Sequence, residues 1–417
     1  MKVCIIGTGI SGLVAAHKLQ AEHELTVYEA DERIGGHTHT VSVESRGESI
    51  PIDTGFIVFN EATYPGFCAL LRELGVPWQP SSMSFSVSCP LSGLEYNGTD
   101  LNGLFAQRSN LLRPAFWRMI ADIKRFYREA PKVLEDEHND QTLGAFLEQG
   151  NYSRLFIEKH LIPMGAAIWS ATPDTMRNFP LRFLVQFFHN HGFMRLNDRP
   201  QWLVVQGGSR SYVERLIEPL RQHIHTGHAV SSLEPTPAGV RVRTQRGTDE
   251  LFERVILATH GDTSLRLLKT PSALQREILG AFQFQRNEAV LHTDTRLLPK
   301  RKRAWASWNY HARGSTLGLP AVTYWMNNLQ GLSTQKEYLV TLNRSAEIAA
   351  DQVLGRYVYQ HPIFTSETAV AQERHAEIDG VDGIHYCGAY WRYGFHEDGV
   401  QSALRVVQNL ERGALVR

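Results

Sequence analysis

The stretch KVCIIGTGISGLVAAHKL, residues 2–19, limits the fold more than any other part of the chain. Val3–Ile6 is a short apolar run of the length expected for a buried parallel strand. Gly7-Thr8-Gly9-Ile10-Ser11-Gly12 follows as a GxGxxG turn, and the next residues up to Gln20 read as a helix without Gly or Pro. A second strand, Leu25–Tyr28, ends in Glu29, 17 residues after Gly12. Gly7 permits the tight turn, Gly9 lets a phosphate approach the backbone, and Gly12 lets helix and strand pack closely. The helix N-terminus presents free N–H groups and the positive end of its dipole to an anion. Glu29 stands where a carboxylate accepts hydrogen bonds from ribose hydroxyls. Strand, turn, helix, strand and acid in this order predict a dinucleotide site and an α/β fold.

The next residues, Glu29-Ala-Asp-Glu-Arg33-Ile-Gly35-Gly36-His37-Thr38, make the pattern more specific. They resemble the flavin amine oxidase superfamily, which includes phytoene-type desaturases and protoporphyrinogen oxidases. Glu29, Arg33, Gly35, Gly36 and Thr38 match its motif. His37 departs from it, standing where the family usually carries a second arginine near the pyrophosphate and flavin. The resemblance implies a Rossmann-type (GR2-like) FAD-binding domain with an inserted mixed α+β substrate domain. His37 then lines the cofactor, and His39 has either that role or a purely structural one. A metal site is not expected, because an HxH pair needs further ligands and none follow at metal spacing.

The C-terminal stretch GIHYCGAYWRYGFHEDGVQSALRVVQNL, residues 383–410, is the second specific match. Here a strand at Ile384–Cys387 leads through Gly388 and a loop to Gly399 and a helix ending near Leu410. In the family this helix points its N-terminus at the flavin pyrimidine, and Gly388, Asp398, Gly399 and Val400 match that role by position. Ala389 replaces the acidic residue common after the strand glycine. Tyr390, Trp391, Tyr393, Phe395 and His396 crowd the flavin-side loop, with His396 and Tyr390 the candidate catalytic residues. No residue fits covalent attachment, so the FAD is expected to be noncovalent.

Between the ends, IDTGFIVFN (52–60) follows a strand-like stretch at 40–52, and Asp53 and Gly55 match a family segment passing near the isoalloxazine. WLVVQGGSRSYVERL reads as strand, Gly-Gly turn and helix, and His225–Leu233, Gly239–Thr244 and Arg254–Leu257 as strands. By position Val230 supplies the family's backbone contact to adenine. The expected FAD domain is discontinuous, 1–80, 200–265 and 380–417, with the substrate domain at 81–199 and 266–379. Trp305–Tyr310 and Thr323–Asn328 read as aromatic strands that either wall a flavin-facing pocket or pack in the core.

Phe116, Ile120, Ile123 and Tyr127 recur at helical spacing within 109–134, with Arg113, Arg118, Lys124, Arg125 and Arg128 filling much of the remainder. Two readings fit: a helix covering the core with a solvated basic face, or one lying on an anionic membrane. Lys300–Arg303 is likewise a solvated loop or a contact for phosphate headgroups.

Lys+Arg and Asp+Glu are both 43, and the pI near 7.3 gives no footprint for nucleic acid. Four scattered cysteines suit reduced thiols in a cytoplasmic protein. The N-terminus does not read as a signal peptide, and no run reaches the ~20 apolar residues of a membrane span.

GGHTHT and CGAYWRYGFHEDG together resemble a bacterial group of FAD-binding proteins associated with cyclopropane-fatty-acid synthase-like methyltransferases. The resemblance implies oxidation or desaturation of an unsaturated or methylated fatty-acyl chain of membrane lipid. A peripheral position on the inner membrane face and a functional link to such a methyltransferase go with it. Amine oxidation is the first rival, although that family's aromatic cage and lysine cannot be placed in this sequence. A non-redox flavin-dependent isomerase or cyclase is the second.

Overall fold

In the first strand, Lys2–Ile6, alternate side chains enter two different cores, as strand geometry requires. Val3 and Ile5 pack under the helices Ile10–Leu19 and His396–Leu415, while Cys4 and Ile6 face the opposite layer. The computed structural model describes residues 1–136, 138–195, 198–312 and 318–415. Lys2–Ile6 is the centre of a five-stranded parallel sheet. Glu24–Tyr28 and Arg254–Leu257 flank it, with Ile224–His225 and Ile384–Tyr386 at the edges. An antiparallel sheet of Val230–Thr236, Gly239–Thr244 and Asp249–Phe252 lies in the second layer. This is an α/β fold, with a Rossmann-type parallel sheet beside a second, multi-sheet part.

That second part is a seven-stranded mixed sheet. Its order is Val353–Ile363, Gln283–His292, Leu339–Leu342, Val322–Trp325, Trp308–His311, Phe85–Cys89 and Leu94–Asn97. Only the Trp308–His311/Phe85–Cys89 pair is parallel. A layer of helices from 114–190 packs on it through Phe116, Phe126, Phe156, Trp169 and Phe187. Between the two parts, Trp202–Val205 pairs with Val58–Asn60 and Trp78–Pro80.

Several local expectations shift. The stretch 40–52 is a hairpin, Thr40–Ser45 and Glu48–Asp53, because Arg46 and Gly47 both take positive φ. His225–Leu233 is two strands separated by a turn, and Asp249–Phe252 is an additional strand. Thr323–Asn328 turns helical at Met326. The last helix begins at His396, so Gly399 lies in its first turn rather than before it.

The basic helix spans Pro114–Glu129 and covers the core, with Phe116, Met119 and Phe126 buried. Arg118, Arg125 and Arg128 pair with Asp122 and Glu129, so most of its basic face is balanced. Leu112 and Trp117 remain exposed where it starts. In the Lys300–Arg303 run, Arg301 pairs with Glu95 at 2.9 Å. Among the described residues no helix is long and apolar enough to cross a membrane.

Candidate active site

Two backbone loops pack against each other at the C-terminal end of the parallel sheet. One is the Gly7–Gly12 turn, where a methyl group on Gly12 would lie 2.0 Å from the Gly7 carbonyl oxygen. The helix starting at Ile10 has Gly9 as its N-cap and no side-chain cap, so its first amides are left for an outside acceptor. The other loop is Gly35–Thr38. Arg33 holds it from within, donating to the Thr38 oxygen at 2.7 Å and to the Gly36 oxygen at 2.6 Å. Gly36 has φ +57 and sits so close that an added methyl would be 2.8 Å from Gly9 Cα.

Glu29 is fixed beside the turn. Its Oε2 accepts from the Thr8 amide at 2.8 Å and its Oε1 from the Asp31 amide at 3.0 Å. Residues 225–228 run alongside, with His228 N–H donating to the Glu29 oxygen, and Val230 follows, packed on Tyr28. On the other side the C-terminal helix meets the first one. Ser11 Oγ donates to the Gly399 oxygen at 3.0 Å, and a methyl on Gly399 would reach Ile10 at 2.7 Å. Gly388 N–H donates to Ser402, and Val400 is buried in the same core. Asp398 turns back to accept from the Phe395 N–H at 2.9 Å, and burial raises its pKa to about 7.

These residues fit FAD. Glu29 and the strand at Val230 would hold the adenosine end, and the two packed loops with the uncapped amides would hold the pyrophosphate. The first turn of the C-terminal helix would meet the flavin.

A chamber opens beyond the loops, at the junction of both parts of the molecule. His37, Thr54, Gly55, Phe56 and His396 close its nucleotide side. Trp169, Phe187 and His191 come from the helical layer, and Trp308, Tyr324, Tyr359 and His361 from the large sheet. No carboxylate and no lysine lines it among the described residues. Its histidines are neutral at pH 7. Burial lowers His361 and His191 to about 4 and His396 to about 3. Burial first, then the neighbouring His361, with which it competes for a proton, also holds His37 well below the usual value.

The two candidate catalytic residues separate here. His396 lines the chamber, stacked on Phe56 at 3.5 Å and 8°, but its Nε2 is shared between the hydroxyls of Thr38 (3.0 Å) and Tyr212 (2.9 Å). Tyr390 is not part of the lining. Its ring is buried against Phe282 and Trp391 in the other core layer, because the short 3₁₀ turn after Gly388 folds it away. Asp53 is likewise not at the chamber. Its carboxylate accepts from Thr40 Oγ (2.5 Å), Ser209 N (2.9 Å), Ser209 Oγ (2.7 Å) and Gln330 Nε2 (3.0 Å). Burial outweighs these bonds and raises its pKa to about 6.

Of the HxH pair, His37 enters the chamber and His39 does not. His39 Nδ1 meets the Tyr359 hydroxyl at 2.9 Å, and its ring lies edge-on to Tyr357. The sequence reading missed Tyr359 and His361. The alternation in YVYQH, residues 357–361, signals a strand with Tyr357, Tyr359 and His361 on one face. His37 packs against both, 4.9 Å from Tyr359 and 5.1 Å from His361 between ring centroids.

Among solved structures, the chain is similar to the cyclohexylamine oxidase of Brevibacterium oxydans IH-35A. The TM-score is 0.71 at 16% identity, covering 98% of this chain and 99% of that one. It is also similar to a putrescine oxidase variant (TM-score 0.70, 16% identity, covering 99% and 98%). A third is a CLA-producing fatty acid isomerase from P. acnes (TM-score 0.69, 14% identity, 98% of each). At these identities the likeness is one of fold. Among curated proteins, "Probable polyamine oxidase 4" of Arabidopsis thaliana is 30% identical over 144 residues, 34% of this chain and 27% of that one. The flavin-dependent L-tryptophan oxidase RebO of Lentzea aerocolonigenes is 26% identical over 311 residues, 64% of this chain. The chain thus spans 27% and 60% of the lengths of these two relatives. The profile of the flavin containing amine oxidoreductases matches residues 10–332. With that match over most of its length, the chain belongs to the flavin-containing amine oxidoreductase family.

Proposed function

We propose that the protein is an FAD-dependent oxidoreductase that oxidises or desaturates an unsaturated or methylated fatty-acyl chain of membrane lipid. The chamber lining carries the reading: it is aromatic and aliphatic, with neutral histidines and neither acid nor lysine among the described residues. A small amine enters as a cation. Aromatic faces stabilise a cation by roughly 0.5–2 kcal/mol, short of the several kcal/mol that desolvating an ammonium costs. An acyl chain meets no such penalty and gains about 0.8 kcal/mol per buried CH₂. The GGHTHT and CGAYWRYGFHEDG resemblance extends the proposal to chains altered by a cyclopropane-fatty-acid synthase-like methyltransferase. The exposed Leu112 and Trp117, beside Arg113, fit a peripheral membrane contact.

FAD, when bound, supplies the two-electron acceptor. Desaturation removes a hydride and a proton from adjacent carbons, with dioxygen or another oxidant closing the cycle. His37 is the group placed to take the proton. The other chamber histidines are engaged: His396 by Thr38 and Tyr212, His361 Nδ1 by Asn287, and His191 Nδ1 by the Phe187 oxygen. The ring of His37 has no hydrogen-bond partner among the described residues and is kept neutral, so its lone pair is open.

The test is an anaerobic visible spectrum of the holoprotein. It is titrated with phospholipids and free fatty acids, methylated and unsaturated, and separately with small amines. Bleaching of the oxidised flavin bands by lipid alone is the expected result. Bleaching by amines alone would replace this reading with amine oxidation, which the named oxidase relatives favour. A rearranged double bond without net bleaching would replace it with isomerisation.

A further inference from the structure

The aromatic chamber does not end blindly. Met83, Ile168, His191, Phe193, Trp202 and Trp308 line both it and a second, outer chamber. The outer walls differ in character. Tyr96, Thr99, Tyr127, His160, Arg199 and Gln201 join the lining, with no carboxylate and no lysine among the described residues. Arg199 is its one cation among the described residues. The Arg199 Nε donates to the Arg195 oxygen at 2.8 Å, and no carboxylate pairs with its guanidinium among the described residues. The Tyr127 hydroxyl shares this lining and has no hydrogen-bond partner among the described residues; burial raises its pKa, and the positive charge of Arg199 works against that rise.

His160 stands on a π-helical turn, Ile157–Leu161, inserted between two α-helical segments. Such turns shift the side-chain register and recur at functional sites. The Tyr96 hydroxyl, which donates to the Lys159 oxygen, lies 3.0 Å from His160 Nδ1. Burial first and Arg199 second lower His160 to about 4, so it adds no second charge.

We propose that the outer chamber is a subsite for the anionic headgroup, carboxylate or phosphate, of an acyl substrate whose tail occupies the aromatic chamber. Arg199 is its counter-charge and the Tyr127 hydroxyl a second donor. The proposal rests on the acyl reading above and adds polarity to it. The substrate enters tail first, and the distance from headgroup to reacting carbon is set by the shared walls. A guanidinium binds carboxylate or phosphate through paired N–H groups, which a neutral headgroup cannot exploit.

Calorimetric titration of the holoprotein tests this without turnover. The probes are oleate, oleyl alcohol and 1-oleoyl lysophosphatidate, each below its aggregation threshold. Arg199→Gln is expected to weaken at least one anionic probe about tenfold or more while leaving oleyl alcohol within about twofold. Arg199→Lys should recover part of that loss, and Tyr127→Phe should lose a smaller share. Which anion responds tells a free fatty acid from a phospholipid headgroup. Arg199 is exposed, so the melting temperature should not move. Equal binding of alcohol and anions by the wild type overturns the subsite while the acyl reading stands. So does an equal loss of all three probes in Arg199→Gln. If none of the three binds, the acyl reading itself falls and the subsite with it.

Discussion

Gly36→Ala tests how the cofactor cradle is built. Gly36 has φ +57, and the added methyl would lie 2.8 Å from Gly9 Cα and 3.3 Å from Gly9 N. Two costs follow. A left-handed alanine costs roughly 1–2 kcal/mol, and forcing a methyl against backbone costs roughly 1–3 kcal/mol. Gly75→Ala isolates the first: its φ is +65, and nothing lies within 4 Å of the position its methyl would take. The common backbone cost cancels in the comparison, leaving about 1–3 kcal/mol. Without cofactor, the Gly35–Thr38 loop can retreat from the Gly7–Gly12 turn and relieve the contact. With the pyrophosphate held between them it cannot, so this cost falls on the bound state. At 1.4 kcal/mol per tenfold, the Kd for FAD should rise about 5- to 150-fold in Gly36→Ala and stay unchanged in Gly75→Ala. Reconstitution of apoprotein, followed by quenching of FAD fluorescence, measures both. Equal FAD affinity in the two variants would refute the argument that the loops close on the cofactor.

Acid should destabilise the fold. Burial lowers His160, His191, His292 and His361 to about 4 and His396 to about 3, while Asp53 and Asp398 are raised to about 6 and 7. Below the unfolded histidine value of 6.5, the unfolded chain binds more protons at these five histidines and the folded chain at these two carboxyls. Stability should therefore fall by up to ~4 kcal/mol per pH unit between about 6.5 and 4, and a urea midpoint unchanged from pH 7 to 5 would contradict this. His396→Ala removes the ring stacked on Phe56 and the partner of Thr38 and Tyr212, and should cost about 2–4 kcal/mol in urea unfolding. Asp53→Asn turns an amide N–H₂ toward donors that now meet a carboxylate. It should cost about 1–3 kcal/mol by the same measurement, and an unchanged midpoint would remove Asp53 from its bridging role.

The nucleotide end was legible in the sequence because its physics is local. Strand, glycine turn, helix and Glu29 follow one another within 30 residues, and each carries its own signal. Gly399 shows where local reading stops. It reads as a break before the last helix, yet it lies inside that helix, where the missing side chain admits Ile10 from almost 400 residues away. Asp53 and Tyr390 were misplaced for the same reason. Their partners, Ser209 and Gln330 in one case and Phe282 in the other, are distant in sequence, and no local pattern tells a carboxylate bridging loops from one facing a cofactor. The alternation at Tyr357, Tyr359 and His361 was visible, but which face meets the chamber depends on the sheet's order. That order pairs the 85–97 hairpin with a strand more than 200 residues later.

The Asp53 bridge has a consequence for how the molecule comes apart. Its carboxylate joins Thr40, Ser209 and Gln330, three stretches that the chain visits at widely separated times. The parallel sheet draws on residues 2–28, 224–257 and 384–386, and the large sheet on 85–97 and 283–363. Neither sheet is a continuous piece of chain, so neither can be excised as a fragment. Heating should give one calorimetric transition instead of two. A single proteolytic nick in a surface loop should leave the two halves bound together until the whole molecule melts.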